Sequence, residues 1–197
     1  MDESIKQQFS IQVECARKAG IYDKFFLSFG TLLGYARHGG VIPGDDDMDV
    51  GILADNLSKD QIDTYVNEVN ARGLFKYRER HEINPVNGKH FWISLRMFPE
   101  GRGLKCCTWF MWNFKGFTWH CKGIGALVKG CPDRYLQIGP EVEYYGTVVH
   151  IPKYSGAALD FWYPDWGTPR KGGNSHGRLM TVTDWGDQSK WVIQEEE

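Results

Sequence analysis

Residues 25–53 read FFLSFGTLLGYARHGGVIPGDDDMDVGIL, and this segment is the most informative part of the sequence about the fold. It opens with an apolar run of strand length, Phe25–Phe29, and then reaches a turn at Gly30-Thr31. Leu32–Arg37 can form a helix that opens at this turn, and a glycine pair breaks it. A second strand follows over Asp47–Leu53, with acidic side chains on one face and apolar side chains on the other. A strand, a helix and a second strand in so short a span predict an α/β fold.

The rest of the chain favours the same class of fold. Apolar spacing predicts two further helices. The motif Ser58-Lys59-Asp60-Gln61 is a capping box that starts a third. Alternation of apolar and polar side chains predicts strands and a hairpin. These helices lie at residues 4–19, from residue 59 onward and at 155–163, the strands at 90–98 and 147–151, and the hairpin at 105–121. We therefore predict an α/β (α+β) domain with a small mixed β-sheet flanked by helices.

Length and charge restrict the classes of function. The 197 residues suit one domain, so we expect a single domain over residues 1–197. A net charge of -2 provides no basic field for a nucleic acid backbone, which argues against nucleic-acid partners. No apolar run approaches the ~20 residues of a membrane span, and the polar start Met1–Gln8 is not a signal peptide.

An aspartate cluster, Asp45–Asp49, is the strongest chemical signal in the sequence. Four carboxylates in five residues repel one another. A solvated acidic turn would explain Asp45 and Asp46, but it would not explain Asp49, which continues into an apolar strand. Because residues two apart in a strand point to one face, Asp47 and Asp49 can share a divalent cation such as Mg²⁺. The pattern favours a metal site over an acidic turn.

A second element upstream favours phosphate chemistry. Gly30 and Thr31 stand where a strand meets a helix, and the N–H groups and positive end of a helix attract anions there. An ordinary turn is the simpler interpretation of these two residues alone. The Asp-x-Asp pattern beginning at Asp47 follows 16 residues after Thr31, however. Enzymes of phosphoryl and nucleotidyl transfer hold the phosphate next to a metal ion that neutralises its charge.

The five cysteines are an odd number, so they cannot all pair with one another. Cys15 falls in a predicted helix, where we expect a small buried side chain. Cys106, Cys107, Cys121 and Cys131 cluster in the sequence, but their spacing matches a zinc site poorly. We expect buried thiols or disulfides among these four, with a structural zinc as the less favoured alternative.

The run Ser28–Gly51 resembles the signature of the LicD-type phosphotransferases, fukutin and fukutin-related protein. Val148–Tyr154 followed by Leu159–Pro169 looks like the second block of that family, a strand ended by proline and then a helix ended by a Trp-Gly turn. Asn174–Trp185 is similar to the fukutin tail. The resemblance therefore extends over most of the chain, and it is most specific in the first block.

The resemblance implies a single nucleotidyltransferase-fold domain that depends on Mg²⁺ or Mn²⁺. Such an enzyme transfers a phospho-alcohol, for example ribitol phosphate or phosphocholine, from a CDP-linked donor to a glycan acceptor. Compartment stays open between the cytoplasm, for the chain as given, and the Golgi lumen, if an N-terminal anchor precedes it.

The resemblance also implies roles for individual residues. Asp47 and Asp49 would be the metal ligands, and Asp45 would complete the catalytic acidic set. Gly30 and Thr31 would hold the donor phosphate. Arg37, at the end of the predicted helix, would lie near that phosphate.

One position departs from the family pattern. The family's next strand reads Asp-hydrophobic-Phe, and Arg96 stands where that Asp is expected. An arginine is always charged, so Arg96 would either pair with the aspartates and compete with metal or bind a substrate phosphate. Two alternatives to the transferase follow: a catalytically degenerate module that binds a glycan or nucleotide, and a nucleotidyltransferase that moves NMP.

Overall fold

The computed structural model describes most of the chain. The described residues are 3–45, 47–72, 75–83, 90–99, 105–114, 116–121, 128–169, 180–181 and 192–193. Four helices occur among them: α1 (Glu3–Lys18), α2 (Phe29–His38), α3 (Lys59–Ala71) and α4 (Ser155–Trp162). The described helices include none that is both long and apolar enough to cross a membrane.

The strands begin and end as follows: β1 (Phe25–Leu27), β2 (Asp47–Leu53), β3 (Phe75–Ile83), β4 (His90–Pro99), β5 (Lys105–Phe114), β6 (Phe117–Cys121), β7 (Val128–Pro132), β8 (Ile138–Tyr144), β9 (Thr147–Pro152), β10 (Met180–Thr181) and β11 (Val192–Ile193). The central run has the order β5-β2-β1-β9-β8. Within it, β2 is parallel to β5 and β1 to β9, whereas β1–β2 and β8–β9 are antiparallel. The first half of β5 also pairs with β4, and its second half pairs with β6. The fold is thus α/β with a mixed sheet, as predicted.

Helices α1 and α3 cover one face of this sheet. On β5, the Cys106 thiol donates to the side-chain oxygen of Gln8 (3.4 Å), and the Thr108 hydroxyl donates to that of Gln12 (3.4 Å). Thr108 also lies 3.2 Å from the hydroxyl of Tyr65 on α3. Buried polar atoms are costly unless they are hydrogen-bonded, so these contacts fix how the two helices lie on the sheet.

Helices α2 and α4 pack on the opposite face. Phe29, the first residue of α2, contacts Trp109 of β5 edge to face at a ring separation of 6.0 Å. It also contacts Trp162 of α4 at 4.5 Å. The β2–β5 register pairs Asp49 with Cys107, so the acidic residues lie on the α2–α4 face, next to Trp109.

Most locally encoded elements are confirmed. Helix α1 and strand β2 occupy the predicted residues, and the capping box is formed, since Ser58 Oγ accepts from the Gln61 N–H and Gln61 Oε1 from the Ser58 N–H, both at 3.1 Å. Helix α2 begins earlier than predicted, at Phe29, so Gly30 and Thr31 lie inside its first turn. The reason is that Phe29 adopts a left-handed φ of 44° directly after the extended Ser28, which turns the chain at once.

Candidate active site

Asp49 lies at the centre of the sheet, where a carboxylate needs partners. Its side chain is 9% exposed. On one side its strand neighbour is Cys107 of β5. On the other side lies β1, where Leu27 pairs with Val50, so the next residue, Ser28, comes opposite Asp49. The Ser28 N–H donates to the Asp49 carbonyl at 3.2 Å. A charge so enclosed is stable only when neighbouring groups compensate it.

The first turn of α2 and one tryptophan provide that compensation. The Asp49 N–H donates to Thr31 Oγ1 (2.6 Å), and the Trp109 indole N–H donates to Asp49 Oδ1 (2.8 Å). The backbone N–H of Gly30 also donates to the carboxylate. Because the N-terminal end of a helix carries partial positive charge, α2 stabilises the ionised form of Asp49. The Gly30 N–H thus binds an anion, which is the Asp49 carboxylate, whereas Thr31 accepts from the Asp49 backbone.

Even so, Asp49 resists ionisation. Burial raises the pKa of Asp49 to about 7, and the negative charges of Asp47 and Asp45 add to the rise. The hydrogen bonds from Trp109 and Gly30 oppose it, with the smaller effect. Crowded carboxylates of this kind are relieved by a nearby cation.

Three ligand atoms converge at this point. A carboxylate oxygen of Asp47, one of Asp49 and the sulfur of Cys107 all lie within 4.8 Å of one another, the one such group of three in the described part of the chain. The hydroxyl of Ser28, opposite Asp49, is fully buried and has no hydrogen-bond partner among the described residues. An orphaned buried hydroxyl beside crowded carboxylates fits a divalent cation and its water ligands.

Asp45 joins the group from the loop before β2. A Cβ atom added to Gly30 would lie 3.3 Å from Asp45 Oδ2 and 3.8 Å from Asp49 Oδ2, so both carboxylates adjoin the first turn of α2. The structure therefore brings Gly30, Thr31, Asp45, Asp47 and Asp49 together. The fourth acidic residue of the cluster, at position 46, lies outside the described residues.

The loop that carries Asp45 is held from outside the local sequence. The Tyr145 hydroxyl accepts a hydrogen bond from the Val41 N–H at 2.8 Å. Tyr145 itself has a left-handed φ of 51° in the β8–β9 turn. On the other side of the loop, Gly34 of α2 packs so closely that an added Cβ would lie 2.4 Å from the Gly40 carbonyl. None of these contacts was predicted, because no local spacing signals them.

The two predicted arginines, Arg37 and Arg96, lie further from the acidic group than Gly30 and Thr31 do. Arg37 is in the last turn of α2, seven residues after Gly30, which corresponds to about 10 Å along the helix axis. The backbone of Arg96 pairs with Cys107, which in turn pairs with Asp49. Arg96 is therefore two strand spacings from Asp49, roughly 9.5 Å between backbones, and its side chain lies outside the described part of the structure. Their binding roles remain predictions.

Tyr163 is a further residue near the aspartates that was not predicted as a site residue, like Trp109 and Cys107. Burial raises the pKa of the Tyr163 phenol at the end of α4, and the charges of Asp49, Asp45 and Asp47 raise it further. The phenol therefore lies close enough to feel all three carboxylates. The sequence signal for Tyr163 is its position in the second family-like block, which predicts only a helix end there.

The cysteines are buried thiols in the described residues. Cys15, Cys106, Cys107 and Cys131 form no disulfides, and burial raises the pKa of Cys15 to about 11, as expected for a small core residue. Cys106 and Cys107 are adjacent in β5, so they point to opposite faces of the sheet. The side chain of Cys121 lies outside the described residues.

Comparison with known proteins agrees with this geometry. Residues 23–153 match the family model "LicD/FKTN/FKRP, nucleotidyltransferase domain". The chain is also 57% identical over 30 residues to an uncharacterized protein of Rickettsia prowazekii (strain Madrid E), which is 15% of this chain and 11% of that protein. A Rickettsia typhi (strain ATCC VR-144 / Wilmington) protein, also uncharacterized, matches at 57% over 30 residues, 15% of this chain and 10% of that protein. The chain thus spans about a tenth of the length of these curated relatives.

The family match includes β1, the whole of α2, the aspartate cluster and β5, which are the parts that build the acidic group. The proteins of this family are transferases. Because the family match covers well over half of the chain, the chain belongs to the LicD/FKTN/FKRP family and carries its nucleotidyltransferase domain.

Proposed function

We propose that this protein is a metal-dependent phosphotransferase that moves a phospho-alcohol from a CDP-activated donor to a hydroxyl group of a glycan. The observation that supports this function best is the convergence of Asp45 and Asp49 on the first turn of α2, with Asp47 beside Asp49. Membership of a transferase family gives independent support.

Asp47 and Asp49 would hold Mg²⁺ or Mn²⁺, since both ions accept carboxylate oxygens. A bound divalent cation would neutralise the diphosphate of the donor and stabilise the departing CMP. The hydrogen bonds from Trp109 and Gly30 keep Asp49 oriented and favour its ionised form, so they prepare the site before substrate arrives.

The remaining groups would position the donor and move a proton. The acceptor oxygen forms a bond to the β-phosphorus of the donor while the bond from that phosphorus to the CMP oxygen breaks. Asp45 is only half-buried and adjoins Gly30, so we assign it as the base that takes the acceptor's proton. The Gly30 N–H already binds Asp49, so the N-terminus of α2 would attract the donor phosphate only through its partial positive charge. Arg37, about 10 Å further along the helix axis, would contact a more distant part of the donor.

A second candidate function is a catalytically silent module that binds a nucleotide or glycan. The observation that favours it is Arg96, which lies in the same row of paired residues as Asp49 and Cys107. The family resemblance predicts a carboxylate at this position. The variant Arg96→Asp separates two roles for this residue. If Arg96 binds donor phosphate, nucleotide affinity falls, and if it opposes metal, Mn²⁺ affinity rises by on the order of tenfold.

The decisive experiment measures products. We would incubate the protein and Mn²⁺ with CDP-ribitol or CDP-choline and a glycan acceptor, and follow the release of CMP. Asp47→Asn should abolish release, whereas Ser58→Ala, which removes a helix cap outside the acidic group, should preserve it. Nucleotide binding without CMP release would support the silent module, and pyrophosphate from NTPs would support NMP transfer.

A further inference from the structure

We propose that Cys107 is a protein ligand of the metal, so that the site takes a thiophilic divalent cation such as Zn²⁺ or Co²⁺ more tightly than Mg²⁺. This inference rests on the proposed function only in its assumption that Asp47 and Asp49 hold a divalent cation. It differs from that proposal in the identity of the cation and in the third ligand.

The position of Cys107 in the sheet supports its role. The parallel β2–β5 register pairs Cys107 with Asp49, so the two side chains leave neighbouring strands on the same face. The Cys107 sulfur and one carboxylate oxygen from each of Asp47 and Asp49 lie within 4.8 Å of one another. Zinc ligands bind about 2.0–2.3 Å from the ion, so a set of this spread can surround one ion with small side-chain movements.

The chemistry of the donors decides which ion they prefer. Mg²⁺ takes oxygen ligands and does not use a thiol, so two carboxylates would be its whole protein set. A thiolate is a soft ligand that favours zinc and similar ions, and it would add a third negative charge. On binding, the Cys107 S–H bond breaks, its proton goes to solvent and the sulfur lone pair forms the bond to the metal.

A separate observation is an unsatisfied buried hydroxyl in the same row of the sheet. The orphaned hydroxyl of Ser28 lies on the other side of Asp49 from Cys107, in the same row across the sheet. A catalytic zinc site keeps three protein ligands and one open position for water or substrate. A water bound there would be a candidate partner for the Ser28 hydroxyl, which has none among the described residues.

Cys106 provides a matched control. It is the next residue in β5 and equally buried, but it faces α1, where its thiol donates to Gln8. A serine at position 106 keeps a donor for Gln8 and leaves the metal face unchanged. A serine at position 107 removes the sulfur from the acidic group.

The test uses Co²⁺ and Cd²⁺ as probes, because thiolate-to-metal charge transfer gives each an absorption band that oxygen ligands do not give. The wild-type protein should show this band, Cys106→Ser should keep it and Cys107→Ser should lose it. Calorimetry should show Zn²⁺ affinity lowered by at least about tenfold in Cys107→Ser, since loss of even an outer-shell partner costs that much. Mn²⁺ affinity should change less.

A second measurement needs no variant. X-ray absorption of the zinc-loaded wild-type protein should show one sulfur at about 2.3 Å from the metal. Mn²⁺ binding with no charge-transfer band and no sulfur scatterer would overturn the role of Cys107 and leave the proposed transferase standing. Failure to bind any divalent cation would overturn both proposals.

Discussion

Asp49 is constrained at its backbone N–H, its carbonyl and its carboxylate, by Thr31, Ser28, Trp109 and Gly30. A side chain fixed in this way loses little entropy when it binds an ion, so the restraint serves affinity. The same burial that fixes the carboxylate also makes its charge costly. Asp49 is therefore the residue at which folding and metal binding oppose one another.

The pKa of about 7 at Asp49 makes this opposition measurable. An unfolded Asp titrates near 3.9, so between about pH 4 and pH 7 the folded protein binds more protons than the unfolded chain. The free energy of unfolding of the metal-free protein should fall as the pH rises through that window. In Asp49→Asn, which mimics the protonated acid, this loss should disappear, and Mn²⁺ binding should disappear with it.

Urea unfolding in EDTA at pH 5 and pH 8 measures the effect for both proteins. The difference between wild type and Asp49→Asn isolates this carboxylate from the other groups that titrate in the same range. Equal pH dependence in the two proteins would mean that Asp49 is ionised throughout. Unchanged Mn²⁺ affinity of the variant in calorimetry would remove Asp49 from the metal set.

At the scale of elements, the site is the junction between the first turn of α2 and the end of the loop that precedes β2. Gly30→Ala probes this junction. Alanine is the better helix former by about 1 kcal/mol, so the melting temperature should stay the same or rise. The new methyl group would lie 3.3 Å from Asp45 Oδ2 and 3.8 Å from Oδ2 of the metal ligand Asp49, so it would push the two carboxylates together and Mn²⁺ affinity should fall. A variant that loses stability and affinity together would show that Gly30 serves the backbone and not the acidic group.

Tyr145, which is distant in sequence, holds the same loop through a hydrogen bond. In Tyr145→Phe the Val41 N–H loses its acceptor, which should cost about 1 kcal/mol in the free energy of unfolding. Hydrogen exchange should become faster at residues 40–45 in particular, with helix α3 unaffected. Tyr135, whose hydroxyl accepts from Arg134 at the surface, gives a control variant, Tyr135→Phe, that should leave the loop unchanged.

The contrast between these elements shows what the sequence could reveal. The capping box at Ser58 and strand β2 depend on spacings of two to four residues, and both predictions are confirmed. Trp109 reaches Asp49 across 60 residues and Tyr145 reaches Val41 across 104. Such contacts depend on which strands pair and in which register, and that is set by packing of the whole sheet. Cys107 could not be assigned to the aspartates for this reason.

At the scale of the molecule, the family match and the physical core have different limits. The match runs from residue 23 to residue 153 and leaves out α1 and α4. Yet Phe9 of α1 is fully buried, with its ring edge against Tyr144 at 5.2 Å, and Trp162 of α4 packs on Phe29 beside the aspartates. These contacts support the proposal that the domain extends beyond the matched residues.

Deletion of residues 1–20 tests that proposal. Phe9, Val13, Cys15 and Ala16 of α1 are all buried, and removing them would expose the sheet face that carries Cys106 and Thr108. Burial of each larger apolar side chain contributes about 1.5–3 kcal/mol, and a whole domain is stable by only about 5–15 kcal/mol. The truncated chain should therefore give no cooperative thermal transition, and Phe9→Ala alone should cost about 3–5 kcal/mol in the full chain. A truncated protein that melts cooperatively and binds Mn²⁺ as tightly as the full chain would show that α1 is an appendage and that the functional unit begins near residue 23.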